Sequence, residues 1–157
     1  AATARALRHE PIVTVLLRAP GAVLPAPMVA LDPHEDAPAQ YVFDLGRLRD
    51  PEREPGAAGV LAFVISGAAR CVERGSEATV REVQAQAVQQ IPALRGLATE
   101  LLRVVTEKRA TFLCLPALQR PPATVASTLR AAGDYVAGPY PATLEGAVRA
   151  GIAAAAP

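Results

Sequence analysis

The sequence predicts an α/β (α+β) fold, with helices layered on a mixed sheet, and three observations carry that expectation. Residues 12–17, IVTVLL, are β-branched and bounded by Pro11 and Pro20, as a strand requires. Residues 60–66, VLAFVIS, are apolar at both parities and read as a central strand buried on its two faces. Val80, Val83, Ala87 and Ile91 recur at helical spacing before Pro92, which predicts a helix covering one face of that sheet.

The remaining elements follow in order. Residues 19–27 are broken by prolines and form a loop. Tyr41, Phe43 and Leu45 alternate with Val42 and Asp44, giving a second strand that ends at Gly46. Residues 47–59 are charged and rich in Pro and Gly, a surface loop. Ser76 is the expected N-cap of the covering helix, with Glu77 in its first turn. The run RVVTEKRATF, residues 103–112, predicts a strand with one wet side. Residues 135–137 predict a very short strand, and residues from about 142 to 155 a last helix. Strands and helices interleaved in this way exclude an all-α bundle.

Composition narrows the function classes. A chain of 157 residues can bury a real core, and 51% hydrophobic with 20% charged residues is globular. A net charge of +1 gives no strong attraction to nucleic acid or an anionic membrane. Aromatics at 4% without tryptophan argue against a base-stacking surface. Cys71 and Cys114 belong to no CxxC or Cys/His cluster, so they read as buried reduced thiols in a cytoplasmic protein and offer no zinc site. The longest apolar run, residues 59–69, is too short for a bilayer, which needs about 20 residues, and no signal peptide is visible. The chain opens on Ala1 rather than methionine, which leaves a missing upstream portion or a missing tag as the two expectations.

The densest chemistry lies in residues 132–151, AGDYVAGPYPATLEGAVRAG. The opening of the last helix, Ala142, Thr143 and Leu144, presents backbone N–H groups without intrahelical acceptors, and with the helix dipole they suit an anion or an electron-rich carbonyl. Ala142, Gly146, Ala150 and Ala154 recur every four residues and keep one helix face small, so that a backbone or a ring can approach. Leu144, Val148 and Ile152 form an apolar stripe expected to pack into the core, and Glu145 with Arg149 an i,i+4 ion pair. Gly133 and Asp134 precede the short strand; the carboxylate can accept from ribose or ribityl hydroxyls, or close an ordinary Asp turn.

The whole string resembles the closing FAD motif of the squalene-associated FAD-dependent desaturases (hydroxysqualene dehydroxylases), in the flavin amine oxidase and phytoene desaturase superfamily. Five upstream segments resemble that family in the same order: HEPIVTVLLR at 9–18, LPAPM at 24–28, YVFDLGRL at 41–48, LAFVISGA at 61–68 and EKRATF at 107–112. The resemblance implies residues 1–115 as the distal part of a substrate-binding domain. Residues 116–157 would be the C-terminal strand and helix of an FAD-binding, Rossmann-like domain. It implies that Asp134, after Gly133, meets the ribityl or pyrophosphate region of FAD, and that the Leu144 amide, in the Ala142-Thr143-Leu144 helix opening, faces the pyrimidine edge of the flavin.

The chain departs from the family in two places. Val136-Ala137-Gly138-Pro139 stands where relatives carry threonines and a later glycine, and no GxGxxG is present, so the N-terminal dinucleotide fingerprint is missing. The expectation is therefore the C-terminal part of an FAD-dependent oxidoreductase acting on an isoprenoid, binding FAD weakly or not at all by itself. No catalytic acid or base is assigned, since in such enzymes the flavin carries the redox chemistry. Lys108 and Arg109 read as a solvated strand face, and His9 and His34 as surface residues. Ser66 lacks the nucleophile elbow of a hydrolase. A flavin amine oxidase fragment is the alternative enzyme; a non-catalytic module that binds an apolar ligand or itself is the alternative of another class. A chain without its upstream half should leave an apolar patch or sheet edge open, to be covered by homodimerisation; peripheral membrane contact is a separate expectation.

Overall fold

The computed structural model describes residues 2–156; the outer ends of the two expected segments, residues 1 and 157, lie outside the described residues. The elements are α1 (Ala2–Arg5), β1 (His9–Arg18), β2 (Met28–Ala30), β3 (Tyr41–Asp44), α2 (Leu45–Leu48), β4 (Val60–Ser66), α3 (Ala69–Arg74), α4 (Ser76–Gln90), β5 (Glu100–Phe112), β6 (Thr124–Ala126), β7 (Leu129–Arg130) and α5 (Leu144–Ala155). Single 3₁₀ turns occupy Pro55–Ala57 and Pro92–Leu94. The fold is α+β, with a five-stranded antiparallel sheet in the order β2-β3-β4-β1-β5. Pairing is antiparallel rather than mixed because β2, β3 and β4 turn back on one another without the long crossover a parallel pair needs.

The chain divides into two compact units, residues 11–108 and residues 1–10 with 109–157. The first holds the main core. β4 sits at the centre of the sheet, as its two-sided apolar sequence requires, and Leu61, Phe63 and Ile65 are buried. Val13, Val15 and Leu17 of β1 share that face, and Val80, Val83, Ala87, Ile91 and Leu94 close over it from α4 and the turn beyond. Burying each of the valine, leucine, isoleucine and phenylalanine side chains among them contributes about 1.5–3 kcal/mol. On the other face, cross-strand neighbours form two rows, Ala30–Tyr41–Val64–Thr14 and Met28–Phe43–Ala62–Leu16. Met28 and Tyr41 are exposed there, and Phe43, Val64 and Leu16 are half-buried.

Several expectations are corrected. β3 ends at Asp44, two residues early, because the buried Asp44 carboxylate accepts from the Gly46 amide at 3.1 Å and starts α2. Ser76 is the first helical residue of α4 rather than its cap; α3 runs up to Arg74, and Gly75, at φ 90°, turns the single-residue corner. β5 is wet on both sides instead of one, because it is the sheet's edge strand and only its C-terminal end and Val104 gain cover. Cys71 is buried as expected, but Cys114 is exposed, lying just beyond the end of β5.

Two polar side chains hold the core unit together. Gln86, fully buried on α4, receives the Ala39 amide on Oε1 at 2.9 Å and donates Nε2 to the Ala39 carbonyl at 2.8 Å. One turn on, Gln90 repeats the clip on Asp32, at 2.9 and 2.8 Å. Each glutamine amide thus completes the hydrogen bonding of a peptide in the 31–40 connection, where no strand is available to do so.

Candidate functional site

The motif lies in the unit made of residues 1–10 and 109–157. Its hairpin, β6 with β7, pairs Thr124 with Arg130 and Ala126 with Leu129. The expected strand at 135–137 does not form. Its backbone is claimed by another partner: Arg120 donates Nη1 to the Val136 carbonyl at 2.8 Å and to the Asp134 carbonyl at 3.5 Å, and Nη2 to the Gly138 carbonyl. The Ala137 amide goes to the Pro121 carbonyl at 2.8 Å. With alternate carbonyls bound by one guanidinium, the segment is a loop laid around Arg120, and Val136 is buried beneath it.

The helix that follows starts at Leu144, not Ala142. Thr143 is its N-cap: its hydroxyl accepts from the Gly146 amide at 3.0 Å and donates to the Tyr140 carbonyl at 2.7 Å. Tyr140 and Ala142 flank Pro141 in the left-handed region, at φ 55° and 56°, which costs an L-residue about 1–2 kcal/mol each. That corner folds the chain back so that the Tyr140 carbonyl presses on Gly146, where any Cβ would collide with it. The small-residue face of α5 is therefore used as its pattern implies, for close backbone approach. Because that face turns inward, the neighbouring stripe turns outward: Leu144, Val148 and Ile152 are 87%, 58% and 68% exposed. The expectation that they enter the core is overturned; among the described residues no element lies over them. The Glu145–Arg149 pair forms, at 2.5 Å, and Arg149 stacks on the Tyr140 ring at 4.9 Å.

One contact, between Asp134 and Ala142, brings the five candidate residues together. The Ala142 amide lies 3.5 Å from the Asp134 carbonyl, and Thr143 and Leu144 follow directly. Gly133 sits one residue behind, at φ 143° with the Tyr135 ring against it, where a Cβ would overlap the ring. Ala142 does not offer the free amide expected of it, since that group turns back on Asp134. The Leu144 and Glu145 amides have no acceptor among the described residues. The Asp134 carboxylate likewise has no hydrogen-bond partner there, and it lines a cavity of about 280 Å³ with Tyr135, His9, Arg109, Thr111 and Phe112. Two acceptor-free amides at a helix start and an unengaged carboxylate suit a ligand that carries both electron-rich carbonyls and hydroxyls.

Sequence reasoning missed Arg120, and no spacing or motif marks it; only the folded loop shows its three carbonyls. Replacing it with Ala should leave those carbonyls without a charged donor. Hydrogen exchange at the Ala137 and Ala142 amides is then expected to rise about tenfold or more, and an unchanged exchange pattern would remove Arg120 from the account.

No family model matches the chain, and no curated protein matches it. Among the described residues no helix is long and apolar enough to cross a membrane.

Proposed function

We propose that the chain is the C-terminal portion of an FAD-dependent oxidoreductase acting on an isoprenoid, a squalene, hopanoid or carotenoid precursor. The observation that carries this reading is the geometry of the motif. Thr143 caps α5 and leaves the Leu144 and Glu145 amides without an acceptor among the described residues; the Asp134 backbone carbonyl lies 3.5 Å from the Ala142 amide, and the unengaged Asp134 carboxylate lines the cavity beside it. FAD offers groups for both, carbonyls on the isoalloxazine and hydroxyls on the ribityl chain, so the residues present fit it.

When bound, the flavin would supply the redox chemistry, accepting or returning a hydride. The chain's own residues would do the rest. The Leu144 amide and the helix dipole would stabilise negative charge at the facing ring edge. Asp134 would fix the ribityl hydroxyls, and Arg120 would hold the loop between them. The sheet's half-open face, with Met28, Phe43, Ala62 and Leu16 in one row and Arg18 beyond it, gives a mainly apolar floor for a long hydrocarbon. On this reading the chain would reside in the cytoplasm and touch a membrane peripherally.

A titration of the purified chain with FAD tests this, following flavin fluorescence and thermal stability together. Weak or no binding by the isolated chain, with micromolar binding once an upstream GxGxxG-bearing half is supplied, is the expected result. Failure of both sinks the flavin reading. A non-catalytic, self-associating or apolar-ligand module is the second reading, favoured by the exposed Leu144, Val148 and Ile152 stripe.

A further inference from the structure

The open face of the sheet carries its charge at one end. Of the cross-strand partners that share this face, from Arg18–Val60 at one end to Ile12–Ser66 at the other and across β3 to β2, only Arg18 is charged. Arg18 is half-buried, and among the described residues its guanidinium has no hydrogen bond or ion pair. It lines a cavity of about 290 Å³ walled by Leu16, Leu45, Val60 and Leu102. The two other charged groups there, Arg49 and Glu54, are paired with each other. One positive charge is thus left without a counter-charge against apolar walls.

That combination defines the chemistry of an occupant. The five N–H donors of a guanidinium form a fixed fork that takes a carboxylate bidentately, and apolar walls strengthen such a pair over one in open water. A lone cation suits a monoanion; a diphosphate brings more charge than the cavity answers. It also suits a detached molecule over a bilayer, since surfaces that dock on anionic lipid gather about 4–8 cations. The apolar row Leu16–Ala62–Phe43–Met28 begins at the residue next to Arg18 on this face of β1. It crosses to β2 over about 14 Å and ends at Met28, which is 51% exposed. An acyl chain whose head sits on Arg18 has that row to lie along.

We propose that this face binds a long-chain fatty acid, its carboxylate paired with Arg18 and its tail along the Leu16–Met28 row. The site lies within the 11–108 unit and does not depend on flavin, so a chain that ignores FAD leaves it standing.

Isothermal titration calorimetry of the 157-residue chain with palmitate, below its micelle concentration and without FAD, tests it. Micromolar binding is expected. Arg18→Ala is expected to weaken it about tenfold or more, as loss of a charge-assisted hydrogen bond does, whereas Arg81→Ala on α4 should leave it unchanged. Leu102→Asp, at an exposed position in the cavity wall, should also weaken it, by setting a like charge beside the head. That variant keeps the test open should Arg18→Ala fold poorly. Hexadecanol, with the same tail and no charge, should bind the wild type about tenfold more weakly than palmitate does. No binding of palmitate overturns the proposal, whether or not phosphatidylserine vesicles capture the chain. So does binding indifferent to Arg18→Ala and Leu102→Asp, an equal loss from Arg18→Ala and Arg81→Ala, or hexadecanol as tight as palmitate.

Discussion

Replacing Gln86 with Ala should destabilise the 11–108 unit by about 2–6 kcal/mol. The side chain is fully buried, and both of its polar atoms serve the Ala39 peptide. Truncation strands an N–H and a C=O together in the core, each at about 1–3 kcal/mol. Urea unfolding of the variant should show a lower midpoint at an unchanged slope. Gln90→Ala is the control. It removes the same pair of bonds, from the Asp32 peptide, but in an exposed setting where water can replace them, so its cost should stay below about 1 kcal/mol. Equal costs for the two variants would mean that burial is not what gives the Gln86 clip its weight.

Gly146→Ala should destabilise α5 and the corner before it by about 1–3 kcal/mol, against the ordinary preference of a helix. In an unobstructed helix interior, Gly→Ala stabilises by up to about 1 kcal/mol, and Gly151 in the same helix is such a place, with nothing near an added Cβ. At Gly146 the Tyr140 carbonyl occupies that space, and the obstacle is backbone already held at left-handed φ on both sides of Pro141. Circular dichroism and amide exchange over residues 147–151 should therefore move in opposite directions for the two variants. A Gly146→Ala chain as helical as the Gly151→Ala chain would show that the corner yields freely.

What could be read in advance were the segments whose pattern and environment agree. β4 was legible to the residue because an apolar run at both parities has one stable home, a central strand. The inward side of α4 was legible from Val80, Val83, Ala87 and Ile91. The missed elements are those decided by what lies beside them. Gly75 displaced Ser76 as the cap because α3 ends one residue earlier. Residues 135–137 resemble a strand in isolation, but Arg120 takes their carbonyls. Gln86 carried a faint signal, a polar residue on the buried side of α4, three positions after Val83. In the candidate site, the close approach at Gly146 was legible from small residues at every fourth position. The apolar stripe beside it was misplaced because periodicity names a face without saying what lies over it.

The order of the strands also sets a timetable. Of the strands in this sheet β1 leaves the ribosome first, yet its two neighbours are β4, at residues 60–66, and β5, at residues 100–112. β2, β3 and β4, by contrast, pair with near neighbours in sequence. Nascent chains should therefore assemble the β2-β3-β4 meander early and carry β1, with its buried-to-be Val13, Val15 and Leu17, as a waiting apolar segment until β4 emerges. Non-local pairing of this kind slows folding and prolongs exposure to aggregation. Chaperone dependence during synthesis should thus fall sharply once residue 66 has cleared the ribosome exit tunnel, and fall again once residue 112 has.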